Sequence, residues 1–217
     1  MTWSLNEIEG LSRKAARGAG LSWGLAEEAG KATRWLCAAG LPGSEALAGL
    51  LRRNDGAEYD ALCPLGETGT WAARGGALCP LISGAAICDR ASQIAKGEAL
   101  ELGETSFPLL LLPYVAAAAQ SSDTPLKIEW PGVTVTFADQ ARISLSQQGA
   151  LTPESVATVR ITAAATLEEG TPLDHVTRGN IEPGIAQVLT GFAHRTYAPG
   201  TPESRLAGAG AGLSDND

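Results

Sequence analysis

Histidine is nearly missing from this chain: His175 and His194 are the only two in 217 residues. Of the four cysteines (Cys37, Cys63, Cys79 and Cys88), no two stand close enough for a Cys-x-x-Cys pair. Structural zinc sites draw on such close pairs or on nearby histidines, so no metal is expected, nor any bound cofactor. Aromatic residues make up 5% and charged residues 18% of the chain, against 44% hydrophobic, a globular rather than disordered composition. Long apolar runs are also lacking. The longest, "FPLLLLPYVAAAA" at 107–119, is broken by Pro108 and Pro113 and is too short to span a bilayer. The start, "MTWSLNEIEGLSRK", carries Glu7 and Glu9 where a secretory signal would place a basic stretch and then an apolar one. A cytoplasmic protein with reduced thiols is the expectation.

Charge is unevenly spread. The net charge is −8, yet residues 1–53 hold seven Lys or Arg against five acids, leaving nine against nineteen for the rest. The basic residues of the first segment alternate with acids, as Glu27 does with Lys31, which suits solvated helix faces with pairs one turn apart. An acidic body repels phosphate backbones, so nucleic acid is not an expected partner.

Periodicity predicts helices first. Ser4 followed by Glu7 forms a capping box ahead of Leu5, Ile8, Leu11, Ala15 and Ala16 at helical spacing, ending near Gly18. A second helix runs from Ser22 to before Gly40, and a third, capped by Ser44, continues to Arg53. The first two form an antiparallel hairpin in which Trp23 and Trp35 are expected to be buried among small residues. Residues 55–77 read as an irregular loop with a strand near Tyr59–Leu62, and 85–97 as a helix. The run at 107–119, apolar on both faces, reads as a central strand. "LKIEW", "VTVTF" and "RISLS" alternate and predict an antiparallel meander, and 155–166 adds a β-branched strand. Thr171 and Pro172 open a turn or short helix, and a last helix follows Pro183 to about Arg195. The fold class is therefore α+β, a single unit over 1–217 with a helical part at 1–54 and a mixed part at 55–217. It combines an N-terminal helical hairpin, a mixed or antiparallel sheet of about four to six strands, a C-terminal helix and a glycine-rich tail.

Candidate chemistry gathers near the end of the sequence. "HRTYAPGTPESR" at 194–205 concentrates His194, Arg195, Tyr197, Glu203 and Arg205, and arginine forks match carboxylates in two bonds. His175 beside Asp174 is a candidate base, and Tyr197 could present its phenol to a carboxylate substrate, which makes these two the expected catalytic residues. His194, Arg195, Arg205, Gly208 and Gly210 are the expected ligand-binding residues. Gly208 and Gly210 supply the first two glycines of a G-x-G-x-x-G phosphate loop, but position 213 is leucine and no strand precedes them. They suit close backbone approach instead, letting the tail lie along a sheet edge, a cleft or a neighbouring subunit. Cys79 and Cys88 flank "PLISGAAI" near a helix start, where a dipole could activate a thiol; inert buried thiols are the alternative.

The stretches at 14–36, "KAARGAGLSWGLAEEAGKATRWL", and 195–217, with a looser likeness in "CPLISGAAICDRA", resemble an uncharacterised proteobacterial family of unknown function. The resemblance implies a cytoplasmic bacterial protein and brings no activity, cofactor or catalytic residue with it. The residues suit two functions. One is a small-molecule enzyme or binder acting on an acidic, carboxylate metabolite. The other is a non-catalytic subunit that pairs with a second copy or an enzyme partner through its hairpin or tail.

Overall fold

The computed structural model describes residues 2–66, 69–138, 141–145, 149–164 and 170–197. The chain opens with strand β1 (Thr2–Ser4) and helices α1 (Leu5–Gly18), α2 (Trp23–Ala38), α3 (Gly43–Arg53), α4 (Tyr59–Leu62), α5 (Pro80–Asp89) and α6 (Ala91–Ala95). Strands β2 (Leu100–Leu102) and β3 (Thr105–Ser106) lead to a 3-10 turn (Pro108–Leu111) continuous with α7 (Leu112–Ser122). Then come β4 (Leu126–Trp130), β5 (Val133–Phe137), β6 (Arg142–Leu145), β7 (Ser155–Val156), β8 (Val159–Ala163), β9 (Thr171–Pro172), β10 (Arg178–Asn180) and α8 (Pro183–His194). The protein is an α+β fold with an N-terminal helical region, as expected.

The main sheet has six antiparallel strands in the order β2-β8-β4-β5-β6-β9. Its meander β4-β5-β6 is the predicted one, and β8 enters beside β4 rather than extending the meander. Alternation sets one apolar face: Ile128, Val135, Ile161 and Leu102 are buried, and α7 packs on β4 and β5. Residues one step away turn to the opposite face, where Arg160 pairs with Glu101 across strands at 3.0 Å. Two further ribbons pair β3 with β7 and β1 with β10.

The hairpin forms as its caps dictate. The Ser4 hydroxyl accepts the Glu7 amide while the Glu7 carboxylate accepts the Ser4 amide, and Ser22 caps α2. Its close contact with α8 depends on Gly18, where any Cβ would overlap the carbonyl oxygen of Phe192.

Several expectations fail for identifiable reasons. The run at 107–119 is helical: Pro108 and Pro113 occupy first-turn positions that need no amide partner, and the alanines favour helix. Its apolarity on all sides reflects packing against α5, α2 and the sheet, with an alanine, Ala117, at the exposed position, a situation that periodicity cannot separate from a central strand. Tyr59–Leu62 is a helical turn, not a strand. The helix expected at 85–97 starts earlier, at Pro80, and breaks at Arg90 into α5 and α6. Thr171–Pro172 is an edge strand instead of a helix start. Ser44 does not cap α3: Pro42 holds the cap position, and Ser44 is buried with its hydroxyl 3.6 Å from the Cys37 sulfur. Trp23 is 67% exposed, with the Arg17 guanidinium 5.0 Å from its ring centre, because it begins α2 directly after the hairpin's turn. Trp35 is half-buried, edge-on to Phe137.

Candidate functional site

A groove of about 1130 Å³ opens where the ends of three helices meet. One wall is a single face of α5. Ile82, Ala85, Ala86, Asp89 and Arg90 fall at the i, i+3, i+4, i+7 and i+8 positions that one side of a helix presents. The facing wall combines the turn between α1 and α2 (Gly20, Leu21, Ser22) with Leu25, and the end of α3 (Leu50, Leu51, Asn54). The segment holding α4, with Tyr59, Leu62 and Cys63, borders the mouth, and Trp71 completes the lining.

Trp71 is fixed by its backbone. Its amide donates to the Glu101 carbonyl and its carbonyl accepts the Gly103 amide, both at 2.8 Å, alongside β2. The ring is 3% exposed, and its indole Nε1 is buried with no hydrogen-bond partner among the described residues. A buried donor left unpaired costs about 1–3 kcal/mol. The Arg90 guanidinium lies 5.7 Å from the same ring centre and pairs with Glu98 at 3.1 Å. The groove thus combines apolar walls with one cation stacked on an aromatic ring that also carries a donor. Glu58 and Asp89 add two carboxylates to the lining.

Cys79 stands at the N-cap of α5 and lines the groove, one residue ahead of the helix. The Cys79 side chain makes no capping hydrogen bond to the helix; the nearby amides of Leu81 and Ile82 and the Asn54 side chain pull its thiol down. Burial outweighs them and pushes the thiol up, so Cys79 is protonated at neutral pH. Cys88 and Cys37 are raised for the same reason, and all four cysteines are free. Gly20-Leu21-Ser22-Trp23-Gly24 has G-x-S-x-G spacing, yet a helix rather than a strand leads into it. The Ser22 hydroxyl is used as a helix cap, accepting the Leu25 amide at 3.4 Å. Among the described residues no three His, Cys, Asp or Glu side chains converge as metal ligands.

The residues singled out from the sequence divide into separate places. Arg195 grips Asp55 with both terminal guanidinium nitrogens, at 2.6 and 3.0 Å, and these hydrogen bonds, with its charge, hold the Asp55 carboxyl below the usual range. Its fork is thus occupied by the protein's own carboxylate. The His194 and Tyr197 rings lie beside it with centres 5.5 Å apart and planes tilted by 53°, both exposed. His175 is exposed between β9 and β10, next to Val176, whose amide donates to Ala38 at the end of α2. Arg195 lies by the end of α1 and the start of α2, so the length of α2, about 24 Å, separates His175 from the 194–197 group. Arg205, Gly208 and Gly210 lie outside the described residues. Asp55 adjoins the groove-lining Asn54 and Gly56, which places Arg195 as a clamp on the groove's rim. Sequence reasoning did not single out Trp71, Arg90 or Asn54. The stripe from Ile82 to Arg90 was readable as a helix face, whereas nothing local marks Trp71.

Residues 3–79, 77 of 217, match a family described as a protein of unknown function (DUF3726). The matched part contains α1 to α4 and Trp71 and stops as α5 begins. No curated protein matches the chain. Among solved structures, malate dehydrogenase from Entamoeba histolytica is similar with a TM-score of 0.47 and 11% identity, over 89% of this chain and 61% of that one. The chain spans less than two thirds of that protein's length, and a likeness this loose assigns neither fold nor activity.

Proposed function

We propose that the protein binds a small, largely apolar molecule bearing one carboxylate in the groove between α2, α3 and α5. The observation that carries this reading is the Arg90 guanidinium beside the Trp71 ring within an apolar wall, the Trp71 Nε1 having no partner among the described residues. Ligand sites are mostly apolar clefts with a few placed polar groups that fix orientation, and this groove is slightly above the usual size. The carboxylate would exchange for Glu98 on Arg90, beside the Trp71 ring, while the apolar body lies along Leu25, Leu50 and Ile82. Glu58 and Asp89 disfavour a second negative charge, which selects a monoanion over a di-acid. Arg195 acts here by holding Asp55 and the rim. The protein is read as a bacterial cytoplasmic one, and among the described residues no helix is long and apolar enough to cross a membrane.

The test is calorimetric titration with straight-chain carboxylates of eight to twelve carbons and the matching alcohols. Arg90→Gln should weaken the carboxylates about tenfold, the worth of a charge-assisted bond, and leave the alcohols unchanged. Equal affinity of acids and alcohols for the unaltered protein would sink the carboxylate assignment.

A second reading, a non-catalytic partner subunit, is favoured by Trp23 at the hairpin end and Tyr59 at the groove mouth, 67% and 56% exposed. Sedimentation velocity of the protein and of Trp23→Ser separates the two: association lost with that substitution supports an interface there.

A further inference from the structure

We infer that a second cleft, at the opposite end of α2 from the groove, binds a small organic amine with a flat apolar body. The cleft holds about 430 Å³, within the usual range for small-molecule sites, and lies between α7, α2 and the end of β5. Its long wall is one face of α7 carried through to the cap, since Ala116, Ala119, Gln120 and Asp123 fall at the i, i+3, i+4 and i+7 positions. The facing corner is aromatic: Trp35 and Phe137 both line the cleft, with ring centres 6.1 Å apart and planes at 60°. Leu25, which lines the groove, and Trp35 are separated by a rise of about 15 Å along α2, so the cleft is a separate site and stands or falls independently of the groove.

The charge at the cleft has one sign. Asp123 caps the end of α7 in the left-handed region, at φ 49°, and its amide donates to the carbonyls of Ala119 and Gln120. Its carboxylate has no hydrogen bond or ion pair among the described residues, whereas Asp55 and Glu101 are each matched by an arginine. The last turn of a helix also presents the negative end of its dipole, so helix end and carboxylate act together on a cation. The described lining contains no lysine, arginine or histidine, and a cation arriving there displaces only water. Gln120 adds an amide oxygen able to accept a second ammonium proton. The net charge of −8 draws cations toward the protein as a whole. Ala116 and Ala119 each contribute only a methyl group, which leaves room for a ring against Trp35 and Phe137, and aromatic walls favour a flat partner that carries positive charge. A carboxylate, the group proposed for the groove, is repelled here.

The experiment follows amide and indole NMR signals of the full chain during titration with 2-phenylethylamine, 2-phenylethanol and 3-phenylpropanoate, which share a ring and a size and differ in charge. The amine should shift the amides of 116–124 and the Trp35 indole N–H with a Kd of about a millimolar, as expected for so small a ligand. It should bind at least about threefold more tightly than the alcohol, the worth of an exposed charge pair, and the acid should leave these signals unmoved. Asp123→Asn keeps a residue that tolerates the left-handed backbone and should lower the amine to the affinity of the alcohol. Ala116→Leu fills the cleft from a helix position that suits leucine and should abolish binding of both. Should Asp123→Asn fold poorly, the comparison of amine with alcohol on the unaltered protein decides alone. Equal affinity for amine and alcohol, no response to the amine at 116–124, or shifts centred on the groove residues 82–90 overturn the inference.

Discussion

Tyr114 is a tyrosine whose hydroxyl has no partner among the described residues, although the residue is 4% exposed. Its ring packs on α5 where Gly84 leaves out a Cβ. Burial, with the Glu28 charge adding to it, pushes the phenol well above its ordinary value. Tyr114→Phe keeps the ring and removes the stranded hydroxyl, so it should raise stability by about 1 kcal/mol in urea titrations. The alkaline behaviour has a definite sign. Above about pH 10 the unfolded chain releases a phenol proton that the folded chain retains, so stability falls as pH rises, and Tyr114→Phe should make that fall shallower. The two hairpin tryptophans should also differ: Trp35→Ala should cost about 2–3 kcal/mol as a half-buried ring against Phe137, and Trp23→Ala under about 1 kcal/mol. Equal midpoints for the two variants would contradict their placement. None of this contrast was legible in the sequence, because both tryptophans share the same helix and small neighbours, and only the helix start decides which of them meets solvent.

At the scale of elements, caps and alternation were the readable signals. Ser4 with Glu7, Pro183 at the start of α8, and the three strands of the meander are local patterns that tertiary contacts reinforce. The 108–122 helical segment was hidden because its exposed positions within the apolar run are alanine, Ala117, and so show no polar face to reveal the period. The groove was hidden for a related reason: its walls come from helix ends far apart in sequence, and Trp71 from an irregular segment, so only the stripe on α5 has a local signature. The charged group at 194–205 was conspicuous, yet Arg195 is spent on Asp55. Arg195→Ala should therefore speed amide exchange at 54–58 without moving the denaturation midpoint; a midpoint shift with unchanged exchange would place its role elsewhere. Gly18→Ala tests the neighbouring contact. Its added methyl has nowhere to go against the Phe192 carbonyl, and α8 must shift away, at a cost of about 1–3 kcal/mol.

For the molecule as a whole, the first and last described elements close on each other. Thr2, Trp3 and Ser4 pair with Asn180, Gly179 and Arg178, and α8 covers α1. During synthesis this has a consequence in time. At roughly 5–20 residues per second, α1 leaves the ribosome some 9–35 s before α8 exists to cover it. Ile8, fully buried in the finished protein, would spend that interval facing solvent or a chaperone. Nascent chains stalled before residue 178 should therefore be captured by a hydrophobic-binding chaperone, and chains stalled after α8 has emerged should be released from it.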